Sequence, residues 1–193
     1  MITHIQGKLV QKNPTDVVID CNGVGYLLNI SLHTYSQIPD QENIKLYTHL
    51  QVREDSHTLF GFSSLAEREI FRMLISVSGI GASIARTMLS SLTPKEVREG
   101  IATENVDLIQ SIKGIGLKTA QRTIIELKDK ILKVYDIDEV SVSRDNTAKD
   151  EALSALEVLG FNKKQAERAI DKFIASVPQA NVETIIKEAL KSL

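Results

Sequence analysis

Over the first 62 residues, apolar and polar positions mix in short runs of the kind that half-buried strands produce. Ile2–Val10 carries Gly7, which suits a bend or bulge, and Asp16–Asp20 is a β-branched run. Asn22-Gly23 is a hairpin-turn signal with strand-like runs on both sides. Val24–Ser31, Asn43–Leu50 and Ser56–Phe62 continue the pattern. Five or six short strands in so few residues predict a small barrel, for which an OB-fold is the commonest solution.

The period changes at Ser63-Ser64. Ser64-Leu65-Ala66-Glu67 is a capping-box signature, and Phe71, Leu74 and Ile75 follow at helical spacing. Thr93-Pro94-Lys95-Glu96 is a second capping box, with proline at the first helical position. Helices are expected from there to Lys133. Residues 134–148 are polar and acidic without a helical stripe and read as a linker, with a short strand at 139–143 as the alternative. Helicity resumes at Lys149. Ala152, Leu153, Leu156 and Leu159 share a face, and Gly160 is placed to end that helix. Asn162 can cap a second helix, and a third runs from about Val182 to Leu193. The expected organisation is a multi-domain α+β chain: a barrel at 1–63, a helical domain at 64–133, a linker at 134–148 and a three-helix, UBA-like bundle at 149–193.

One element repeats. Leu74–Arg86 and Ile109–Gln121 align at an offset of 35 residues, matching apolar positions, Gly79-Ile80-Gly81 with Gly114-Ile115-Gly116, and Ala85 with Ala120. Two helices joined by Gly-Ile-Gly make a tight hairpin. The glycines allow positive φ and let an anion reach bare backbone, while Ile80 and Ile115 point inward and pin the helices. Each second helix starts just after the second glycine, so its unpaired N–H groups and positive dipole end face the same spot. This is a phosphate cradle indifferent to base identity. Ser83 and Lys118 stand two residues past the second glycine, beside Thr119. Arg86, Lys113 and Arg122 extend the positive surface. An ordinary helical turn is a fair reading of one such motif and a poor one of two with matched flanks.

Charge changes the picture modestly. The net charge is −2, yet residues 72–133 carry 10 Lys and Arg against 6 Asp and Glu, while both flanking segments are net negative. Only the repeat region is basic, as a polyanion-binding surface requires. Cys21 is alone, which excludes an intrachain disulfide and suits a reducing, cytoplasmic setting. The opening residues lack a signal-peptide pattern, and apolar runs are too short for a membrane span.

Catalytic chemistry finds little support. Gly114–Thr119 resembles part of a nucleotide-binding loop, but Leu117 separates Gly116 from Lys118, and neither hairpin completes a dinucleotide fingerprint. His4, His33, His49 and His57 make no metal-ligand spacing with Cys21, so no metal or cofactor is expected. A helix-hairpin-helix glycosylase or nuclease would need a catalytic Asp. Asp136 and Asp138 lie at a plausible distance, but in linker-like sequence, and the domain is small for a flipped base. A single-strand-binding OB protein would stack bases on aromatics, which are 5% of this chain.

Taken together, these residues resemble the RuvA family, Holliday junction recognition subunits of the bacterial RuvAB branch-migration complex. The resemblance covers essentially the whole chain: Gly23-Val24-Gly25-Tyr26, Val52–Asp55 with Leu59–Phe62, both hairpins, Glu126–Asp129, and Leu156–Phe161. It implies an OB-fold, a tandem helix-hairpin-helix domain and a mobile three-helix domain. It also implies a homotetramer, or two face to face, on four-way junction DNA, with the RuvB ATPase and the RuvC resolvase as partners. Glu54 and Asp55 match the family's acidic pin, where charge steers strands apart. Leu156, Leu159, Phe161 and Leu190 match positions that contact RuvB, with bundle core as the competing role for Leu156 and Leu159. Ser83 departs from the family, which commonly has Lys there.

Overall fold

The computed structural model describes residues 1–39, 41–131, 148–177 and 179–193. The chain divides into two compact units, 1–142 and 143–193. The segment expected as linker or strand lies outside the described residues, apart from Ala148, which begins a helix.

Five strands build a closed barrel: β1 (His4–Lys12), β2 (Asp16–Cys21), β3 (Val24–Ile30), β4 (Asn43–Val52) and β5 (His57–Phe62), in the order β1-β2-β3-β5-β4. β4 returns to pair with β1, and β3 with β5 is the parallel pair, so the expected OB-type barrel is present. Asn22 and Gly23 both take positive φ in the β2–β3 turn, which matches the strand twist. The bulge expected near Gly7 falls instead between Leu9 and Gln11. Gly7 has a different role: a Cβ there would sit 2.1 Å from the Asp20 carbonyl oxygen, so β1 and β2 approach too closely for any side chain.

Between β3 and β4 lies α1 (Leu32–Gln37), an element that the sequence pattern did not predict. It is too short to show an apolar stripe, and its stability comes from its neighbours. Ser31 caps it by accepting from the Thr34 N–H, and the Leu32 N–H donates to the Ser90 hydroxyl.

Among the described residues, helices α2 (Leu65–Ser76), α3 (Ala82–Ser91), α4 (Pro94–Ala102), α5 (Val106–Gln110) and α6 (Leu117–Ile131) follow the barrel in the first unit. The change of period near residue 63 is not a break in packing. Phe60 and Phe62 of the last strand lie in the helical core, with ring centroids 5.0 and 4.9 Å from that of Phe71.

The two capping boxes diverge. Thr93 and Glu96 make both reciprocal bonds, as expected. Ser64 accepts from the Glu67 N–H, but the Glu67 carboxylate does not return to the Ser64 N–H. It is fully buried and accepts from Ser31 Oγ and Thr34 Oγ1, each at 2.6 Å, and from the Ser63 amide and hydroxyl, each at 3.1 Å. A buried carboxylate needs such donors, and the two short contacts are in the charge-assisted range.

The second unit contains α7 (Ala148–Val158), α8 (Lys163–Ile174) and α9 (Val182–Ser192) around Ala152, Leu156, Ala166, Ile170, Ile185 and Ala189. Gly160 ends α7 at φ +94°. Its N–H donates to the Glu157 carbonyl and that of Phe161 to the Leu156 carbonyl, which is a Schellman motif.

Two stability outcomes follow from the first unit. Glu67→Ala leaves the Ser31 and Thr34 hydroxyls without their acceptor and the Ser63 amide with only Thr34 Oγ1, and is expected to destabilise the unit by about 1–3 kcal/mol in urea titrations, with Glu67→Gln milder. His49 packs against Phe71, and its buried Nδ1 has no hydrogen-bond partner among the described residues. Burial, and then Arg72 and Arg68, push its pKa below 6.5. The neutral ring is therefore the favoured folded form. Its contribution is complete above 6.5 and is lost as pH falls below that value. His49→Phe is expected to flatten the stability–pH profile on the acid side.

Candidate nucleic-acid interface

The two Gly-Ile-Gly segments fold alike. In the first, the Val77 N–H donates to the Leu74 carbonyl, that of Ile80 to Val77, and that of Ala85 to Gly81. In the second, Ile112 donates to Ile109, Ile115 to Ile112, and Ala120 to Gly116. Ile80 and Ile115 are buried in the shared core, as their inward placement required.

Within each segment the glycines divide the work. Gly79 and Gly114 take φ of +98° and +96°, the left-handed turn that other residues adopt at a cost. Gly81 is extended at φ −86° and has no need of glycine for its conformation. Its advantage is access, because a Cβ on Gly81 or Gly116 would meet nothing within 4 Å. Beyond each second glycine a helix begins, α3 at Ala82 and α6 at Leu117, and Gly81 provides no side-chain cap. The first-turn N–H groups have no intrahelical partners and are available to an anion.

The hairpins also pack reciprocally. A Cβ on Gly79 would lie 3.5 Å from Thr119, and one on Gly114 would lie 3.5 Å from Ile84. Ile84 and Thr119 are equivalent positions of the repeat, so the two copies are related by an approximate two-fold. Arg122 of α6 reaches the Ser78 carbonyl beside the first hairpin at 3.5 Å.

The cations separate into two groups. Lys113 and Lys118 are exposed and have no ion-pair partner among the described residues, so they stand free beside the second hairpin. Ser83 is exposed, Thr119 is partly covered, and Arg122 is exposed 3.9 Å from Glu126. Arg86, the other cation expected on this surface, is partly buried on α3. It turns to the barrel, donating from Nη1 to Asn29 Oδ1 at 2.8 Å and to the Thr15 carbonyl at 3.4 Å. Nearby Asp16 is held below its usual pKa by hydrogen bonds from Asn13 and Thr15 and, more weakly, by the Arg86 charge.

Glu54 and Asp55 form the exposed tip of the β4–β5 turn, closed by the Arg53 N–H donating to the Ser56 carbonyl at 2.8 Å. A cleft of about 180 Å³ between this turn's base and α3 is lined by Arg53 and Arg86. Sequence reasoning did not single out Arg53, whose only local signal was its place beside the acidic pair.

In the second unit, Leu159 and Leu190 are 60% and 41% exposed and Phe161 is partly buried. Leu156 has no exposed surface and belongs to the bundle core, the role that competed with partner contact in the sequence. Leu159, expected on the apolar face with Leu156, follows the last residue of α7 and is exposed. Among the described residues, no group of three or more His, Cys, Asp or Glu side chains is placed to hold a metal ion, and no helix is long and apolar enough to cross a membrane. Asp136 and Asp138, weighed as catalytic candidates, lie outside the described residues.

Comparison with known proteins agrees along the chain. Residues 1–61 match the RuvA N terminal domain, 71–129 the SAM-like helix-hairpin-helix tandem, and 147–193 the RuvA C-terminal domain. The chain is 65% identical to the Holliday junction branch migration complex subunit RuvA of Flavobacterium psychrophilum, over the full length of both. It is 63% identical to the protein of that name from Christiangramia forsetii, again over both full lengths. With the Cytophaga hutchinsonii protein it shares 49% identity over 99% of each chain. A barrel, a hairpin tandem and a three-helix unit in this order, with full-length identity of this size, establish that the chain belongs to the RuvA family.

Proposed function

We propose that this chain is a non-catalytic subunit that binds four-way Holliday junction DNA by its structure rather than its sequence. It then recruits the RuvB ATPase for branch migration in homologous recombination and DNA repair, including the SOS response to DNA damage. The carrying observation is the pair of reciprocally packed hairpins, each presenting an open glycine and an uncapped helix start. Two equivalent backbone cradles held in fixed relation suit successive phosphates of a duplex arm, and they read no bases.

In this reading Gly79 and Gly114 shape the turns, Ile80 and Ile115 anchor them, and the amides beyond Gly81 and Gly116 hold the phosphates. Ser83, Thr119, Lys113, Lys118 and Arg122 add side-chain contacts. Residues 1–63 form the barrel domain, 64–133 the DNA-binding domain, 134–148 the linker and 149–193 the motor-binding domain. Leu159, Phe161 and Leu190 meet RuvB, and Leu156 supports that surface from within. The subunit acts in the cytoplasm as a homotetramer, alone or as two tetramers enclosing the junction, where RuvC also works. Four-fold assembly brings four Glu54-Asp55 tips near one axis, where their charge repels phosphates at the strand exchange point.

Mobility shifts and mass measurement test this reading. Four-way junction is expected to bind more tightly than linear duplex or single strand, with steep salt dependence, as a complex of four or eight subunits. Equal affinity for all three DNAs would refute junction selectivity. Gly116→Val adds a side chain where space is open, so the fold should persist. Junction affinity is expected to fall about tenfold or more, the equivalent of a lost charge-assisted hydrogen bond of roughly 1.5–3 kcal/mol. Unchanged binding would show that the backbone is not the contact.

A further inference from the structure

The two hairpins are copies in backbone but not in charge. Two residues past the second glycine, the second copy has Lys118 and the first has Ser83. Three residues further on, the second copy has Gln121 and the first has Arg86. Each copy thus keeps one cation at this pair of positions, displaced by about one helical turn along the same face.

The displacement carries the charge into the cleft between α3 and the barrel. Arg86 and Ser83 line one side of it, and Arg53, Asn29 and Thr58 line the other, with no carboxylate among the lining residues. The bond from Nη1 to Asn29 fixes the Arg86 guanidinium against the wall. Its Nε and Nη2 have no hydrogen-bond partner among the described residues. Asp16, whose pKa the Arg86 charge helps to lower, already accepts from Asn13 at 2.9 Å and Thr15 at 2.8 Å. Arg53 is anchored through its backbone at the base of the acidic turn.

We infer that this cleft is a third phosphate-binding site, built jointly by the barrel and the first hairpin, which takes a DNA phosphodiester between the Arg86 and Arg53 side chains with the Ser83 hydroxyl as a further donor. Two arginines line one cleft that has no carboxylate among its lining residues, and an anion between them would be attracted by both. Their planar forks suit phosphate oxygens, which a single surface lysine meets only as a point charge. The position is also functional. Arg53 attracts a phosphate one residue away from Glu54, which repels it, so the turn defines where a strand runs as well as where it cannot. The site rests on the proposed DNA binding and adds to it a contact outside both hairpin loops.

Fluorescence anisotropy with a labelled four-way junction, titrated at several salt concentrations, tests the site with Arg86→Gln, Arg53→Gln and Lys118→Gln, each also followed by thermal unfolding. Each arginine variant is expected to lower the slope of log affinity against log salt by about 1 per subunit engaged, as the loss of a phosphate contact does. Ser83→Lys in the Arg86→Gln background is expected to restore the slope, because it returns a cation to the position the second hairpin uses. Slopes unmoved by both arginine variants, with Lys118→Gln still effective, would overturn the site and leave the hairpin reading intact. A lower melting temperature for Arg86→Gln at unchanged slope would make Arg86 a tether of α3 to the barrel and likewise overturn it. A slope unmoved by all three variants would remove the hairpin reading and this site together.

Discussion

A carboxylate with no exposed surface persists only when its oxygens are met by donors, and those that meet Glu67 of α2 come from the barrel side of the join between barrel and helices. Ser31 and Thr34 belong to the loop and short helix inserted between strands, while Ser63 ends the last strand's approach to α2. Ser31 is also the cap of α1, so one hydroxyl serves both the short helix and the buried acid. Beside this polar knot, Phe60 and Phe62 enter the helical core against Phe71. Polar and apolar contacts therefore hold the barrel and the hairpins as one unit. The β4–β5 turn and the first hairpin consequently keep a fixed relation, without which a cleft between them would have no defined chemistry.

The repeat is constrained in a different way. Each hairpin must bury an isoleucine, expose a backbone and leave room for its twin. Gly79 and Gly114 serve the turn: their positive φ is what a side chain would strain, while a Cβ there would meet Thr119 or Ile84 only at ordinary contact distance. Gly81 and Gly116 satisfy only exposure. Two glycines that look equivalent in the sequence thus differ in what a side chain would disturb, conformation at one and access at the other.

In the three-helix unit a similar division separates residues of one apolar pattern. Leu156 is enclosed, while Leu159, three residues later, lies past the helix end and is exposed. The Leu159 N–H still donates to the Ala155 carbonyl, and the Schellman motif at Gly160 closes the helix directly after it. A leucine outside the core costs nothing by itself. Its neighbour Val158 is 85% exposed as well.

Local information was sufficient wherever the determinant was local. Alternation and Asn22-Gly23 marked the strands, Thr93-Pro94 and Asn162 the helix starts, and the 35-residue repeat the hairpins with their inward isoleucines, because each depends on neighbours in the chain. What spans the chain was not legible. Helix α1 exists through contacts with residues 58 positions away, and Glu67 left its capping box for hydroxyls more than 30 positions earlier. Arg86 and Arg53 share a cleft although 33 residues separate them. By itself the sequence determined which backbone could be bare and where helices begin, since those follow from side-chain size and short-range hydrogen bonding. Tertiary structure alone decided which charges stand free and which are held against the barrel, since a side chain's partners depend on what folding brings within a few ångströms of it.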